Sequence, residues 1–443
     1  MDIIKPTTIA GIMELLPYEQ LVFDKIKNTI EETFKDYQFL AIETPIIEKN
    51  EILFAKGGGE TEKQIFEIAS ESKDMSLRFD LTVPLARYVS EHFSDLNFPF
   101  KRYQIGKVYR GERNQKGRYK EFYQADIDII GHNNLSIYND ALLARVIFEV
   151  FKRLDFPGIT FHINNRKLLN GYLNSLEIED TTEVLRTIDK KDKIGIEKTI
   201  SLLTDIVTET KAKDLVEFIS QDKTNEEILE YLEQIDGNDL YKEGLNELQI
   251  VYKYMTEFGI PDSNIKIDLA ITRGLDYYTS TVYETFINGY ESIGSVCSGG
   301  RYEDLTNNFS KQKMPGVGMS IGLTRLFYQL QELGLIEDKK ESILDILILP
   351  MDEEFNLYAI NVLNKLREAG AHADIYLEKG KFKKKINYAD KIDAKYVVII
   401  GEDEASKNEV SIRNMKTGEQ FSRSIDNLEF WNWFPSEFLI YFI

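Results

Sequence analysis

Two strand-like stretches, at about 100–110 and 121–131, flank a charged loop from Gly111 to Lys120, and this long hairpin limits the fold more than any other feature. A hairpin is antiparallel by construction. On its returning strand, Tyr123-Gln-Ala-Asp-Ile-Asp128-Ile alternates polar and apolar residues, so Gln124, Asp126 and Asp128 share one sheet face. The loop from Arg110 to Lys120 holds five cations in eleven residues. A guanidinium at a rigid strand end offers a planar fork to phosphate or carboxylate oxygens. A polar sheet face beside such a loop suits a zwitterionic ligand next to a polyphosphate. Taken as bare residues, the same segments also read as a half-exposed sheet and a solvated hairpin tip.

Pro17 opens a helical pattern with Val22, Ile26, Ile30 and Phe34 four apart. A strand broken at Pro45 follows, and a further helix is expected from near Leu85. Between about 165 and 260 glycine is scarce and acidic helix formers dominate, which predicts a helical insertion. Strand-like sequence returns at 266–304, and a helix is expected at about 319–333 with Met319, Leu323, Leu326, Phe327, Leu330 and Leu333 on one stripe. From Asp345 onward strands alternate with helices: strands at 345–350, 373–377 and 396–401, helices at 353–369 and 380–392. That alternation indicates a compact α/β domain.

At 443 residues the chain has room for about three domains. Its net charge of −20 excludes a general nucleic-acid coat, so any bound polyanion must meet a local basic patch. One such patch is Lys379-Gly-Lys-Phe-Lys-Lys-Lys385, which reads either as a solvated helix start or as an RNA contact. A single cysteine, Cys297, excludes an internal disulfide framework, and four scattered histidines argue against a metal site. No apolar stretch approaches the ~18 residues of a membrane span, and the N-terminus lacks a signal-peptide core, so a cytoplasmic protein with no membrane partner is expected.

Three further segments carry candidate chemistry: Arg273-Gly-Leu-Asp-Tyr-Tyr278, Ser298-Gly-Gly-Arg-Tyr302, and Gly316-Val-Gly-Met-Ser-Ile-Gly-Leu-Thr-Arg325. Together with Leu77-Arg-Phe-Asp-Leu-Thr-Val-Pro84, Tyr109-Arg-Gly-Glu-Arg113 and Phe122-Tyr-Gln-Ala-Asp-Ile-Asp128, they resemble the motifs of the histidyl-tRNA synthetases, a class II aminoacyl-tRNA synthetase family. The resemblance covers nearly the whole chain in the family's order, from Gly11-Ile-Met-Glu-Leu-Leu-Pro17 onward.

The resemblance implies an α+β fold: a class II antiparallel sheet core of six strands flanked by helices, a helical insertion, and a C-terminal α/β anticodon-binding domain. It gives a catalytic core at 1–334, a linker at 335–344, an anticodon-binding domain at 345–430 and an apolar tail at 431–443 with no family counterpart. It implies histidine–tRNA ligation through histidyl-adenylate, with histidine, ATP and histidine tRNA as partners, and a homodimer. ATP would be a substrate carrying its own Mg2+, with no metal site on the protein.

Residue by residue, the resemblance makes Arg110 and Arg273 the catalytic arginines. It gives Glu112, Arg118, Phe122 and Arg325 to ATP, and Asp80, Thr82, Gln124, Asp128, Tyr277 and Tyr278 to histidine. Gln115, Lys120, Lys381, Lys383 and Lys384 would contact tRNA. Glu14, Lys120 and Thr324 depart from the family's usual Asp, Arg and Glu. The competing reading is a non-catalytic paralogue that regulates ATP phosphoribosyltransferase. Retention of Arg110, Arg273 and Arg325, and a domain from 345 onward, weighs against it.

Overall fold

The structure, a computed structural model, describes residues 3–56, 62–69, 74–111, 117–178, 181–271, 278–303, 305–336 and 344–426. It divides into two compact units, Met1–Glu14 with Val22–Glu337, and Leu15–Leu21 with Asp338–Ile443.

The strands of the first unit are β1 (Leu40–Ala41), β2 (Ile47–Lys49), β3 (Met75–Leu77), β4 (Phe100–Tyr109), β5 (Glu121–Ile130), β6 (Ile159–Asn165), β7 (Ile265–Ile267), β8 (Thr281–Ile287), β9 (Cys297–Tyr302) and β10 (Gly316–Ile321). β2 and β3 form a separate ribbon, and the rest make one sheet ordered β1-β4-β5-β10-β9-β8-β6-β7. The six inner strands are antiparallel throughout. Two strands of two and three residues, β1 and β7, extend the edges in parallel. Edges that short leave little unpaired backbone open to another chain.

The helix Pro17–Asp36 buries Phe23, Ile26, Ile30 and Phe34, while Val22 stays half-buried. The helix expected from near Leu85 starts earlier and spans Thr82–Glu91. Its start is fixed from outside: Asp80 Oδ1 accepts the Val83 N–H at 3.0 Å, satisfying a donor that has no partner within a first turn. Pro84 falls in that turn, where its missing N–H costs little. Met319 lies on a strand, contrary to the expected helix at 319–333. β10 is paired on both sides through all six of its residues, and the helix begins after Gly322, at Leu323. Leu323, Leu326, Phe327 and Leu330 remain its buried stripe. Seven helices between Arg166 and Glu257 fill the expected insertion among the described residues.

The second unit has strands β11 (Ile346–Pro350), β12 (Ala373–Ile375), β13 (Tyr396–Ile400), β14 (Glu409–Asn414) and β15 (Gln420–Ser424), ordered β12-β11-β13-β14-β15. Ile346 and Ile348 pack with helix Asn356–Glu368, and Leu347 and Leu349 with helix Phe382–Lys391 on the other face. The β14–β15 hairpin escapes the sequence reading because its strands are largely polar. Gly418, at φ +76°, shapes its turn. Residues 337–343 of the expected linker and the tail 431–443 lie outside the described residues.

Candidate active site

A cavity of about 1210 Å3 lies over β5, β8, β9 and β10, and Arg110, Arg118, Phe122, Gln124, Tyr278 and Arg325 all line it. The hairpin explains the first four. Arg110 leaves the end of β4, where its backbone N–H donates to Lys120 O at 2.9 Å and closes the loop. Its Nε donates to Phe79 O at 2.9 Å, and its guanidinium lies 5.1 Å over the Phe122 ring. A cation fixed at both ends in this way is preorganised for an anion. Across the cavity Arg325 Nη2 donates to Ile293 O at 3.0 Å. Thr324, one of the departures, has a definite job: its hydroxyl accepts the Tyr123 N–H at 2.8 Å, tying the helix of Arg325 to the strand of Phe122 and Gln124.

Beneath the cavity the sheet buries charge. Asp128 forms an ion pair with Arg102 Nη2 at 2.6 Å and accepts a hydrogen bond from the Tyr302 hydroxyl at 2.9 Å. The Arg102 side chain is fully buried, and its Nε and Nη1 have no hydrogen-bond partner among the described residues. The same is true of Asp80 Oδ2, Gln124 Oε1 and Asp126 Oδ1. Burial pushes Asp80 up to about 6 and Asp126 up to about 7, and in both cases Arg102 works against the rise. Asp128 is also raised by burial, and Arg102 opposes that shift most strongly. Buried polar atoms are nearly always hydrogen-bonded in native proteins. Several unmatched ones together mark a place where a polar ligand completes the set.

Close backbone approach makes room for this cluster. A Cβ on Gly318 would stand 2.1 Å from Asp128 Oδ1, and one on Gly300 would stand 2.8 Å from the Tyr278 ring. The Gly-Gly pair at 299–300, a weak signal in the sequence, is therefore structural to the site.

The remaining expected residues are dispersed. Asp80, Thr82 and Asp128 stand outside the cavity lining. Thr82 is half-buried at the start of its helix. Lys120 is half-buried, with its backbone N–H on Gly11 O at 2.7 Å, and Glu14 is exposed. Lys381, Lys383 and Lys384 are exposed on the second unit. Their neighbours are engaged: Lys379 pairs with Glu353 at 2.7 Å, and buried Lys385 donates to Pro350 O at 2.7 Å. Glu112, Gln115, Arg273 and Tyr277 lie outside the described residues.

Sequence reasoning missed Arg102 and Ser320, and gave Tyr302 no role. It also missed a polar row, opposite one another strand by strand, of Ser320, Ser298, Glu284, His162 and Lys266, all at the cavity wall. His162 Nδ1 lies 2.8 Å from Asp268 Oδ2. The register that aligns this row includes the pairing of His162 with Glu284, more than 100 residues apart, which no local pattern carries.

A family profile described as "Histidyl-tRNA synthetase" matches residues 11–326. The chain belongs to the histidyl-tRNA synthetase family. A second profile, "Anticodon binding domain", matches residues 345–431. A histidine–tRNA ligase of Clostridium tetani is 53% identical over 428 residues, covering 96% of this chain and 97% of that protein. One of Finegoldia magna is 54% identical over 419 residues, covering 94% and 97%. The crystal structure of histidyl-tRNA synthetase from Nostoc sp. PCC 7120 superposes with a TM-score of 0.88 at 36% identity, covering 97% of this chain and 99% of that one. Membership in the histidyl-tRNA synthetase family makes the chain an aminoacyl-tRNA synthetase, a class of enzyme that takes ATP as a substrate. Near-complete coverage of ligases, with the anticodon-binding profile present, does not favour the regulatory paralogue.

Proposed function

We propose that this chain ligates histidine to its tRNA in two steps. A carboxylate oxygen of histidine attacks the α-phosphorus of ATP, forming histidyl-adenylate as pyrophosphate leaves. A ribose hydroxyl at the 3′ end of histidine tRNA then attacks the acyl carbon, and AMP departs. No enzyme nucleophile is needed. Catalysis rests on alignment and on stabilising charge in the pentacoordinate transition state.

The observation that carries this reading is the pairing of Arg110 over Phe122 at 5.1 Å beside unmatched buried acceptors on Asp80 and Gln124. The first suits a phosphate next to a flat base, and the second suits an ammonium. In this reading Arg110 holds the α-phosphate and the histidine carboxylate, while Arg273 stabilises the same phosphate. Phe122 stacks on adenine, Glu112 reads its amino group, and Arg118 and Arg325 hold the outer phosphates. Asp80, Thr82 and Gln124 hold the backbone groups of the amino acid. Asp128 and Tyr278 meet the two imidazole nitrogens, with Tyr277 completing the pocket. A carboxylate has about four acceptor positions, so the Arg102 ion pair and the bond accepted from Tyr302 leave Asp128 capacity for an imidazole N–H.

Gln115 and Lys120 serve the tRNA acceptor end, and Lys381, Lys383 and Lys384 its backbone on the second unit. ATP enters with Mg2+ as part of the substrate. The working division is a core at 1–334, a linker at 335–344, an anticodon-binding domain at 345–430 and a tail at 431–443. A cytoplasmic homodimer is the proposed form. Its support is the motif 1 resemblance at 11–17 and, among the described residues, no helix long and apolar enough to cross a membrane.

ATP–pyrophosphate exchange across the twenty amino acids tests the reading. Exchange with histidine alone is expected, and Arg273→Ala lowers its rate by ~10²-fold or more, as for a lost electrostatic stabiliser. Folded protein that exchanges with no amino acid, or with a different one, overturns the proposal.

A further inference from the structure

We infer that Asp126 is a positioning residue for the amino-acid substrate: acting through the Ser320 hydroxyl, it holds the Gln124 amide with its oxygen, and not its NH2, turned toward the substrate ammonium. The inference rests on the reading above that Gln124 meets the α-amino group of histidine.

The geometry is a short relay across two strands. Gln124 Nε2 donates to Ser320 Oγ at 2.8 Å. Ser320 on β10 stands directly opposite Asp126 on β5. A hydroxyl carries a single proton, so a Ser320 oxygen that accepts from Gln124 has that proton left for an Asp126 carboxyl oxygen; burial raises the Asp126 acid, and the Ser320 hydroxyl opposes that rise. On its other side Asp126 faces Gln104, but the Gln104 amide already donates to Glu43 and Thr44, each at 3.2 Å. Of the charged groups around Asp126, Arg102 attracts it, and Asp80 and Asp128 repel it. Asp128 is bound by Arg102 and Tyr302 and does not substitute for Asp126 in the relay.

Direction in the relay matters because an amide has a donor end and an acceptor end. With an Asp126 carboxyl oxygen accepting the Ser320 proton, Ser320 accepts from Gln124, and Gln124 Oε1 is left over. That oxygen is buried, lacks a partner among the described residues, and belongs to a side chain in the cavity wall. Without an acceptor at position 126, Ser320 is free to donate to Oε1 instead. The amide then turns its NH2 toward an ammonium, donor against donor.

The test measures pyrophosphate exchange by Ser320→Ala, Asp126→Ala and the double variant, with 3-(imidazol-4-yl)propionate, which lacks the amino group, as a competitive inhibitor. Each single variant should raise the histidine KM about tenfold, as for a lost hydrogen bond to a charged group. The ATP KM and the inhibitor constant should stay within about twofold. Because the two residues act in series, the double variant should resemble either single one, where independent effects would multiply. An unchanged histidine KM, a parallel rise in the inhibitor constant, or multiplying effects overturns the inference and leaves the ligase reading standing. Ser320→Ala, on the cavity wall, decides the matter should Asp126→Ala fail to fold. Failure of the wild-type chain to exchange with histidine is a failure of the ligase reading itself.

Discussion

The two sheets of this chain follow opposite rules. In the second unit every residue of β11 and β13 is buried, and alternate side chains fill apolar cores on the two faces. In the first unit β4 and β5 bury Arg102, Asp126 and Asp128 side by side, leaving atoms of Arg102 and Asp126 unmatched. Apolar burial stabilises a sheet in proportion to area, whereas an unmatched buried polar atom costs about 1–3 kcal/mol. The first sheet thus gives up stability at a cluster of charges beside the cavity, whereas β11 and β13 of the second leave no buried side-chain atom unmatched.

The contrast can be attacked at its strongest point. Asp128→Ala removes the carboxylate 2.6 Å from Arg102 and leaves a fully buried guanidinium without that partner. Breaking a buried pair from one side costs ~3–5 kcal/mol. Urea unfolding should show that loss, and the histidine KM should rise sharply while the ATP KM holds. Wild-type values of both would erase the distinction between the sheets. Next in size, Ile348→Ala, in the core of the second unit, should cost ~2–5 kcal/mol in the same unfolding experiment. Its pyrophosphate exchange should keep the wild-type rate, and a loss of exchange would mean that the second sheet has a part in activation.

Acidity sharpens the comparison further. Burial holds Asp80 up to about 6 and Asp126 up to about 7 in the folded chain. Folding therefore takes up protons between pH 4 and 7, and the stability so gained is complete near pH 4 and lost as pH rises through about 7. Each group contributes a slope of at most about 1.4 kcal/mol per pH unit. The melting temperature of the wild type, relative to Asp126→Asn, should fall from pH 5 to pH 8. A difference that grows with pH would contradict the burial of that charge. The smallest effect belongs to the surface of the second unit. Replacing Lys381, Lys383 and Lys384 together by alanine should weaken tRNA binding a few-fold and reduce its salt slope by up to about 3. Exchange without tRNA should not change.

Motif order, the helix opened by Pro17 and the alternation after Asp345 were legible because each is written locally, in period, cap or signature. The hairpin placed Gln124, Asp126 and Asp128 on one face for the same reason. Arg102 was not legible: Phe100-Lys-Arg-Tyr103 reads as ordinary strand, and its partner appears only when β4 and β5 come into register. Ser320 was hidden likewise, since its meaning depends on Asp126 across a gap of nearly 200 residues. Met319 reads as helical because its spacing from Leu323 fits a helical turn as well as it fits a strand followed by Gly322.

Gly318 sets a boundary for anyone who would redirect this enzyme to a new amino acid. The position of Asp128 depends on a missing methyl group on the neighbouring strand. Alanine at 318 would crowd the carboxylate oxygen that accepts from Tyr302 and disturb the arrangement that a designer hopes to reshape. A mutant library aimed at altered substrate choice gains most by varying side chains such as Tyr278 and Ser298 while leaving positions 300 and 318 untouched. The room for innovation in this pocket lies in its walls, and its floor is fixed by atoms that are not there.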